Sequence, residues 1–198
     1  MESAITVKPM ADLTFQGGLT ESSFVATARG RARFQPDRGY SPGDCDFALN
    51  VDPADMESFD LVILSPDDRY VNGKVVGDST DVDIRDYLDM ITVMSGIGVI
   101  LDLVAGTTGV SRAGRRYAGG LVAPKAPISI KERLVDMAGW KASRLAGTRL
   151  NWRLELDRDN RPRSFMLSWL VSMAGTEIAS SYETTFANWR EGRIPAPR

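Results

Sequence analysis

Leu150-Asn151-Trp152-Arg153-Leu154-Glu155-Leu156-Asp157 alternates apolar and polar side chains without a break. A period of two puts Leu150, Trp152, Leu154 and Leu156 on one face of a strand and the polar residues on the other. The pattern returns in Phe165, Leu167, Trp169, Val171 and Met173 after Arg158-Asp159-Asn160-Arg161-Pro162, which reads as a hairpin loop. Ile178, Ser180, Tyr182, Thr184 and Phe186 supply a third strand beyond Ala174-Gly175-Thr176. These segments predict a three-stranded antiparallel meander whose aromatic face must be covered by a helix. The residues after it, from Asn188 to Arg198, show neither periodicity nor core character.

Working upstream, Ser129-Ile130-Lys131-Glu132 is a capping box, in which hydroxyl and carboxylate satisfy backbone donors reciprocally. It predicts a helix to Ala146, with Ile130, Leu134, Met137, Ala138 and Leu145 inward and Gly147 as its stop. Leading into it, Ala105 to Ser129 hold Gly106, Gly109, Gly114, Gly119 and Gly120, with Arg112, Arg115, Arg116 and Lys125 and no acid. That composition predicts a basic arm or loop, and loops of such length are usually functional or disordered. A further helix is expected from Asp81 or Asp83 through Tyr87, Met90, Ile91, Met94, Ile97, Val99 and Leu101, its first-turn carboxylates complementing the helix dipole.

The first third reads as β-rich. Between Ser23 and Phe34 the even positions are apolar or small, while Arg29, Arg31 and Arg33 form a row on the opposite face. Phe47, Leu49 and Val51 alternate briefly, and Leu61-Val62-Ile63-Leu64 has the continuous apolar character of a buried strand. Val71-Asn72-Gly73-Lys74-Val75 carries Asn-Gly between β-branched residues, the strongest short hairpin signal. The expected fold class is α+β: an N-terminal β-rich part, two central helices and a C-terminal three-stranded antiparallel meander. The expected divisions are 1–102, acidic and β-rich and ending in a core helix; 103–128, the basic arm; 129–187, capped helix plus meander; and 188–198, a tail.

The chain's 24 bases and 26 acids nearly cancel, yet they are segregated. Residues 1 to 102 hold 18 acids and 8 bases, a net of −10, whereas residues 103 to 198 hold 8 acids and 16 bases, a net of +8. Three arrangements satisfy this split: the halves pair within one subunit, they pair head-to-tail between copies, or the basic half meets nucleic acid. Nineteen of the bases are arginine, whose planar fork binds carboxylates and phosphates bidentately.

Several chemistries are excluded by composition. The 198 residues contain no histidine and one cysteine, Cys45. There is consequently no intrachain disulfide, no histidine zinc site, no Ser-His-Asp or Cys-His nucleophile and no imidazole shuttle. No phosphate loop, dinucleotide fingerprint or nucleophile elbow appears. Acid pairs remain as a catalytic resource, namely Asp44 with Asp46, Asp81 with Asp83, and Asp157 with Asp159. Arg158 and the missing glycine and distal Glu set the last pair apart from a calcium loop. The stretch from Met90 to Leu101 is twelve residues, short of the ~20 that a membrane span needs. Met1-Glu2-Ser3-Ala4 has no basic or apolar leader, which implies action in the cytoplasm where the chain is made, or after incorporation into a particle.

These readings point to a non-enzymatic structural subunit without cofactor or metal. It would self-assemble as a homo-oligomer, or join other structural subunits, through complementary charge; a virus or phage particle component is the concrete form. The basic contacts expected are Arg112, Arg115, Arg116, Lys125, Trp189, Arg190, Arg193 and Arg198. The acidic contacts are Asp52, Asp55, Asp67, Asp68, Asp78, Asp81 and Asp83. The alternative is a nucleic-acid-binding module using Arg29, Arg31, Arg33 and Tyr117 with the 112 to 116 cluster, and the third reading is an Asp-based metal-dependent enzyme.

Overall fold

The computed structural model describes residues 8–19, 23–34, 45–54, 56–64, 68–76, 91, 95, 97–128, 130–132, 147–173 and 176–198. In chain order the elements are β1 (Lys8–Leu19), β2 (Ser23–Phe34), β3 (Cys45–Pro53), β4 (Phe59–Ile63), β5 (Arg69–Val71) and β6 (Lys74–Val75). Helix α1 (Ile97–Ala105) follows, then β7 (Ser111–Ala113), β8 (Arg116–Val122), a 3-10 turn (Ala123–Lys125), β9 (Arg149–Leu156), β10 (Pro162–Met173) and β11 (Thr176–Gly192). All eleven strands join one sheet in the order β6-β5-β4-β3-β2-β1-β11-β10-β9-β8-β7, and every pairing is antiparallel.

The expected α+β division is therefore corrected. No separate meander exists: β9, β10 and β11 continue through β1 into the N-terminal strands, because β1 pairs with β2 on one side and β11 on the other. The glycine-rich stretch supplies β7 and β8 rather than an arm, with Arg116 opposite Glu155 and Val122 opposite Arg149. The third C-terminal strand runs beyond Phe186 to Gly192, where Trp189 packs on the core and Ile194 just after it is buried. The first expected helix survives in its described part as α1; its start near Asp81 lies outside the described residues, as does most of the helix predicted from 129 to 146.

Alternation explains the layering. Leu13 and Phe15, Ala26 and Ala28, Phe47 and Leu49, Leu61 and Ile63, Leu150 and Trp152, Phe165 and Leu167, and Tyr182 and Phe186 bury one face of the sheet. Val99, Ile100 and Leu103 of α1, together with Ile91 and Ile130, belong to the same core cluster and cover that face. Burial of apolar area at ~25 cal/mol per Å² is the main stabilising contribution. Close backbone approach matters at Gly30, where a Cβ would overlap the Ala48 carbonyl oxygen and lie 2.8 Å from Leu49 Cα. Asn72 and Gly73, at φ 49° and 75°, form the two-residue loop between β5 and β6 that their sequence predicts. No helix among the described residues is long and apolar enough to cross a membrane, which says nothing of strands.

Candidate functional site

The sheet order carries charge from one edge to the other. On the outer face a register row runs from Arg116 on β8 through Glu155, Ser164, Thr185, Thr14, Arg29 and Asn50 to Asp60 on β4. The described acids of the β3–β6 side are Asp46, Asp52, Glu57, Asp60 and Asp68, against Arg69 and Lys74. On the β7–β9 side stand Arg112, Arg115, Arg116, Arg149, Arg153, Arg158 and Arg161, against Glu155, Asp157 and Asp159. Four strands, β2, β1, β11 and β10, separate the two sides.

The basic side holds an open groove of about 680 Å³ where the β7–β8 turn, the β9–β10 loop and the end of β11 converge. Arg115, Arg116, Arg158, Arg161 and Arg163 line it with Glu155, Asp157 and Asp159, over a floor that includes Phe186 and Trp189. Trp189 is fixed by its indole N–H, which donates to the Pro162 carbonyl at 3.0 Å, and by its ring against Phe34 at 5.2 Å and Phe186 at 6.0 Å. The loop is built by Asp157, whose Oδ1 accepts from the Asp159 and Arg161 backbone N–H groups at 2.8 and 2.9 Å. Such side-chain to backbone bonds are the Asx-turn chemistry of Asp in loops. Asn160, in the left-handed region at φ 60°, completes the turn.

The groove's arginines are unequally engaged. Arg161 pairs with Asp157 at 3.6 Å and with Asp159, and Arg116 and Arg163 share Glu155 at 3.4 and 3.1 Å. Arg115 donates to the Arg158 carbonyl at 3.3 Å, and neither Arg115 nor Arg158 has a carboxylate partner among the described residues. Arg116 is 77% exposed and Arg163 68% exposed, so most of their five N–H donors face solvent. Beside the groove, Arg112 caps the Tyr117 ring at 5.4 Å in a second hollow that includes Arg153, Met166 and Glu183.

Of the basic contacts expected from sequence, Arg115, Arg116 and Trp189 meet in the groove, and Arg112 lies next to it. Arg190 is committed elsewhere, donating to Asp12 Oδ1 at 2.6 Å across β1 and β11. Lys125 sits in the 3-10 turn beside the end of α1, while Arg193 and Arg198 are exposed beyond β11. Sequence reasoning passed over Arg158, Arg161 and Arg163 as site residues, although three arginines within six positions of one hairpin loop were the available signal.

Of the acidic contacts, Asp52 and Asp68 are exposed, and Asp55, Asp67, Asp78, Asp81 and Asp83 lie outside the described residues. Asp52 accepts from Ser58 at 3.0 Å and Asp60 from Asn50 at 3.2 Å, with no cation beside either among the described residues. The arginine row is the opposite case. Arg33 pairs with the fully buried Asp46, Arg31 stands opposite Asp12, and Arg29 stands opposite Asn50.

No group of three or more metal-ligating side chains occurs among the described residues; Asp44, Asp81 and Asp83 of the acid pairs lie outside them. The Asp157 and Asp159 carboxylates are occupied by the loop's own donors. Tyr182 faces inward on β11, and burial pushes its phenol well above the ordinary value of 10.

No family model matches the chain, and no curated protein matches it. Among solved structures, the crystal structure of a bifunctional dehydratase-cyclase domain in ambruticin biosynthesis aligns over 91% of this chain and 76% of that one, at 13% identity. The TM-score of 0.18 is too low for that likeness to bear on fold or activity.

Proposed function

We propose that this chain is a non-enzymatic structural subunit that assembles with copies of itself, the basic edge of one sheet meeting the acidic edge of the next. The observation that carries the reading is charge left uncompensated at both ends of a single sheet. Between described residues, the ion pairs of Arg116, Arg161 and Arg163 stay within the C-terminal half and Arg33–Asp46 within the N-terminal half, while Asp12–Arg190 joins the two at the central seam. Opposite surfaces that meet head-to-tail form heterologous contacts, which close into rings or continue as open arrays. A particle subunit, viral or phage, is one form that such an array takes.

Nucleic-acid binding is less well supported by the same geometry. A phosphate track needs a run of unopposed cations; in the β2 row Arg31 and Arg33 face Asp12 and Asp46 on the adjoining strands, which leaves Arg115 and Arg158 of the groove to contact phosphate. Stacking platforms need exposed rings, and the large aromatic side chains of β1, β3, β4, β9 and β10 point into the core. Light scattering of the purified chain with and without a single-stranded oligonucleotide separates the two. Growth of mass without oligonucleotide is the expected result; a monomer that changes mass only when oligonucleotide is added would replace assembly with binding.

A further inference from the structure

The strand directions place the two uncompensated patches at opposite corners of the sheet. Phe34 at the end of β2 pairs with Cys45 at the start of β3, and Pro162 at the start of β10 pairs with Leu156 at the end of β9, so these residues share one end of the strands. Register across β1 and β11 connects them, because Met10 pairs with both Arg33 and Arg190. The groove lies at this end, on the basic edge. The turn from β3 to β4 leaves from Pro53, which pairs with Ala26 near the start of β2, and so lies at the other end, on the acidic edge.

That turn has a distinctive composition. From Asp52 to Asp60 the sequence is Asp-Pro-Ala-Asp-Met-Glu-Ser-Phe-Asp, with four acids and no base. Asp52, Glu57 and Asp60 are exposed, and Met56 is the one large apolar side chain between the two strands. The groove offers the complement. Arg115 and Arg158 are exposed guanidiniums lacking carboxylate partners among the described residues, beside the half-buried Trp189 indole, which has Arg161 over its ring at 6.0 Å and whose edge suits a thioether.

We propose that the arginine groove is the socket for the β3–β4 turn of a second copy of this chain, with Glu57 and Asp52 reaching Arg158 and Arg115 and Met56 lying against Trp189. This rests on the self-assembly reading and names its contact. Because socket and turn occupy different corners, one copy can fill both roles at once, and a bound pair leaves one socket and one turn open. The contact is heterologous and does not close as a two-fold dimer.

Reversing charge on each side separately tests the pairing. Arg115→Glu with Arg158→Glu makes the socket acidic, and Asp52→Lys with Glu57→Lys and Asp60→Lys makes the turn basic. All five positions are exposed, and the circular dichroism spectrum of each variant checks that it folds. In sedimentation velocity each variant alone stays at the monomer mass of 21.7 kDa. A one-to-one mixture restores complementary contacts and at least doubles the weight-average mass. If either variant alone assembles as the wild type does, the socket assignment is overturned while edge-to-edge assembly stands. If the wild type assembles and the mixture does not, the turn is not the occupant. A wild type that stays monomeric overturns both.

Discussion

Arg190 donates to Asp12 Oδ1 at 2.6 Å, while Asn188 Nδ2 donates to the other oxygen of the same carboxylate at 2.7 Å. This clamp ties β1 to β11, the seam at which the chain's first and last strands meet. The Arg190 and Asn188 hydrogen bonds hold the Asp12 carboxyl below its ordinary value of 3.8, and the charge of Arg31 acts in the same direction. In the unfolded chain Asp12 takes up its proton at higher pH than in the fold. The clamp thus contributes fully above about 3.8 and is lost as pH falls through the lower folded value. Because Asp12 is 38% exposed, solvent screening limits the effect to within about 1 kcal/mol. Urea midpoints at pH 3 to 7 should show a steeper acid loss for the wild type than for Asp12→Asn, whereas parallel curves would remove the clamp from the stability account.

The arginine row should divide by burial of its partners. Arg33 is 22% exposed and pairs with Asp46, which is fully buried. Arg33→Ala removes the cation paired with that buried carboxylate and is expected to cost about 3 kcal/mol, in the range for a broken buried pair. Arg31, exposed opposite Asp12, should cost under about 1 kcal/mol on the same change. Equal losses in chemical denaturation would mean that Asp46 does not depend on Arg33.

The Trp152 indole N–H donates to Thr107 Oγ1 at 2.7 Å, and that hydroxyl in turn donates to the Leu103 carbonyl at 2.7 Å. The relay fastens the end of α1 to β9, with Gly119 of β8 pressed against the same indole. Thr107→Val keeps the volume and removes the acceptor, so a buried N–H loses its partner at a cost of about 1 to 3 kcal/mol. Thr107→Ser should recover most of that loss. A valine variant as stable as the wild type would show that another group satisfies the indole.

Much of this fold was legible wherever apolar side chains alternate against one core. β9, β10, β4 and the Asn72-Gly73 hairpin follow directly from period and turn chemistry. β1 escapes the pattern because a register shift between Met10 and Asp12 buries both Met10 and Ala11, and a second shift follows Gly17. β7 is exposed at every position and β8 opens with Arg116, Tyr117, Ala118, Gly119 and Gly120 before Leu121 and Val122, so neither carries an apolar alternation. Pairing organises them, β8 along β9 and β7 along β8. β11 outruns its predicted end because Asn188, at φ 51°, bends the strand and shifts its parity before Trp189. The strand order itself is non-local: no local pattern tells that β11 will pair with β1 across the whole length of the chain. Charge segregation was readable by counting, whereas the site was readable only in part, since the groove depends on a loop bringing Arg158 and Arg161 to the Arg115 turn.

The central claim is that opposite edges of one sheet attract across copies, and sedimentation velocity at two ionic strengths tests it most directly. Exposed charges are screened beyond about 10 Å in 0.1 M salt, and closer still as salt rises. The weight-average mass should climb above 21.7 kDa with concentration in dilute salt and return to that value in concentrated salt. A mass of 21.7 kDa at every concentration and salt, or an assembly that salt leaves intact, would contradict the account.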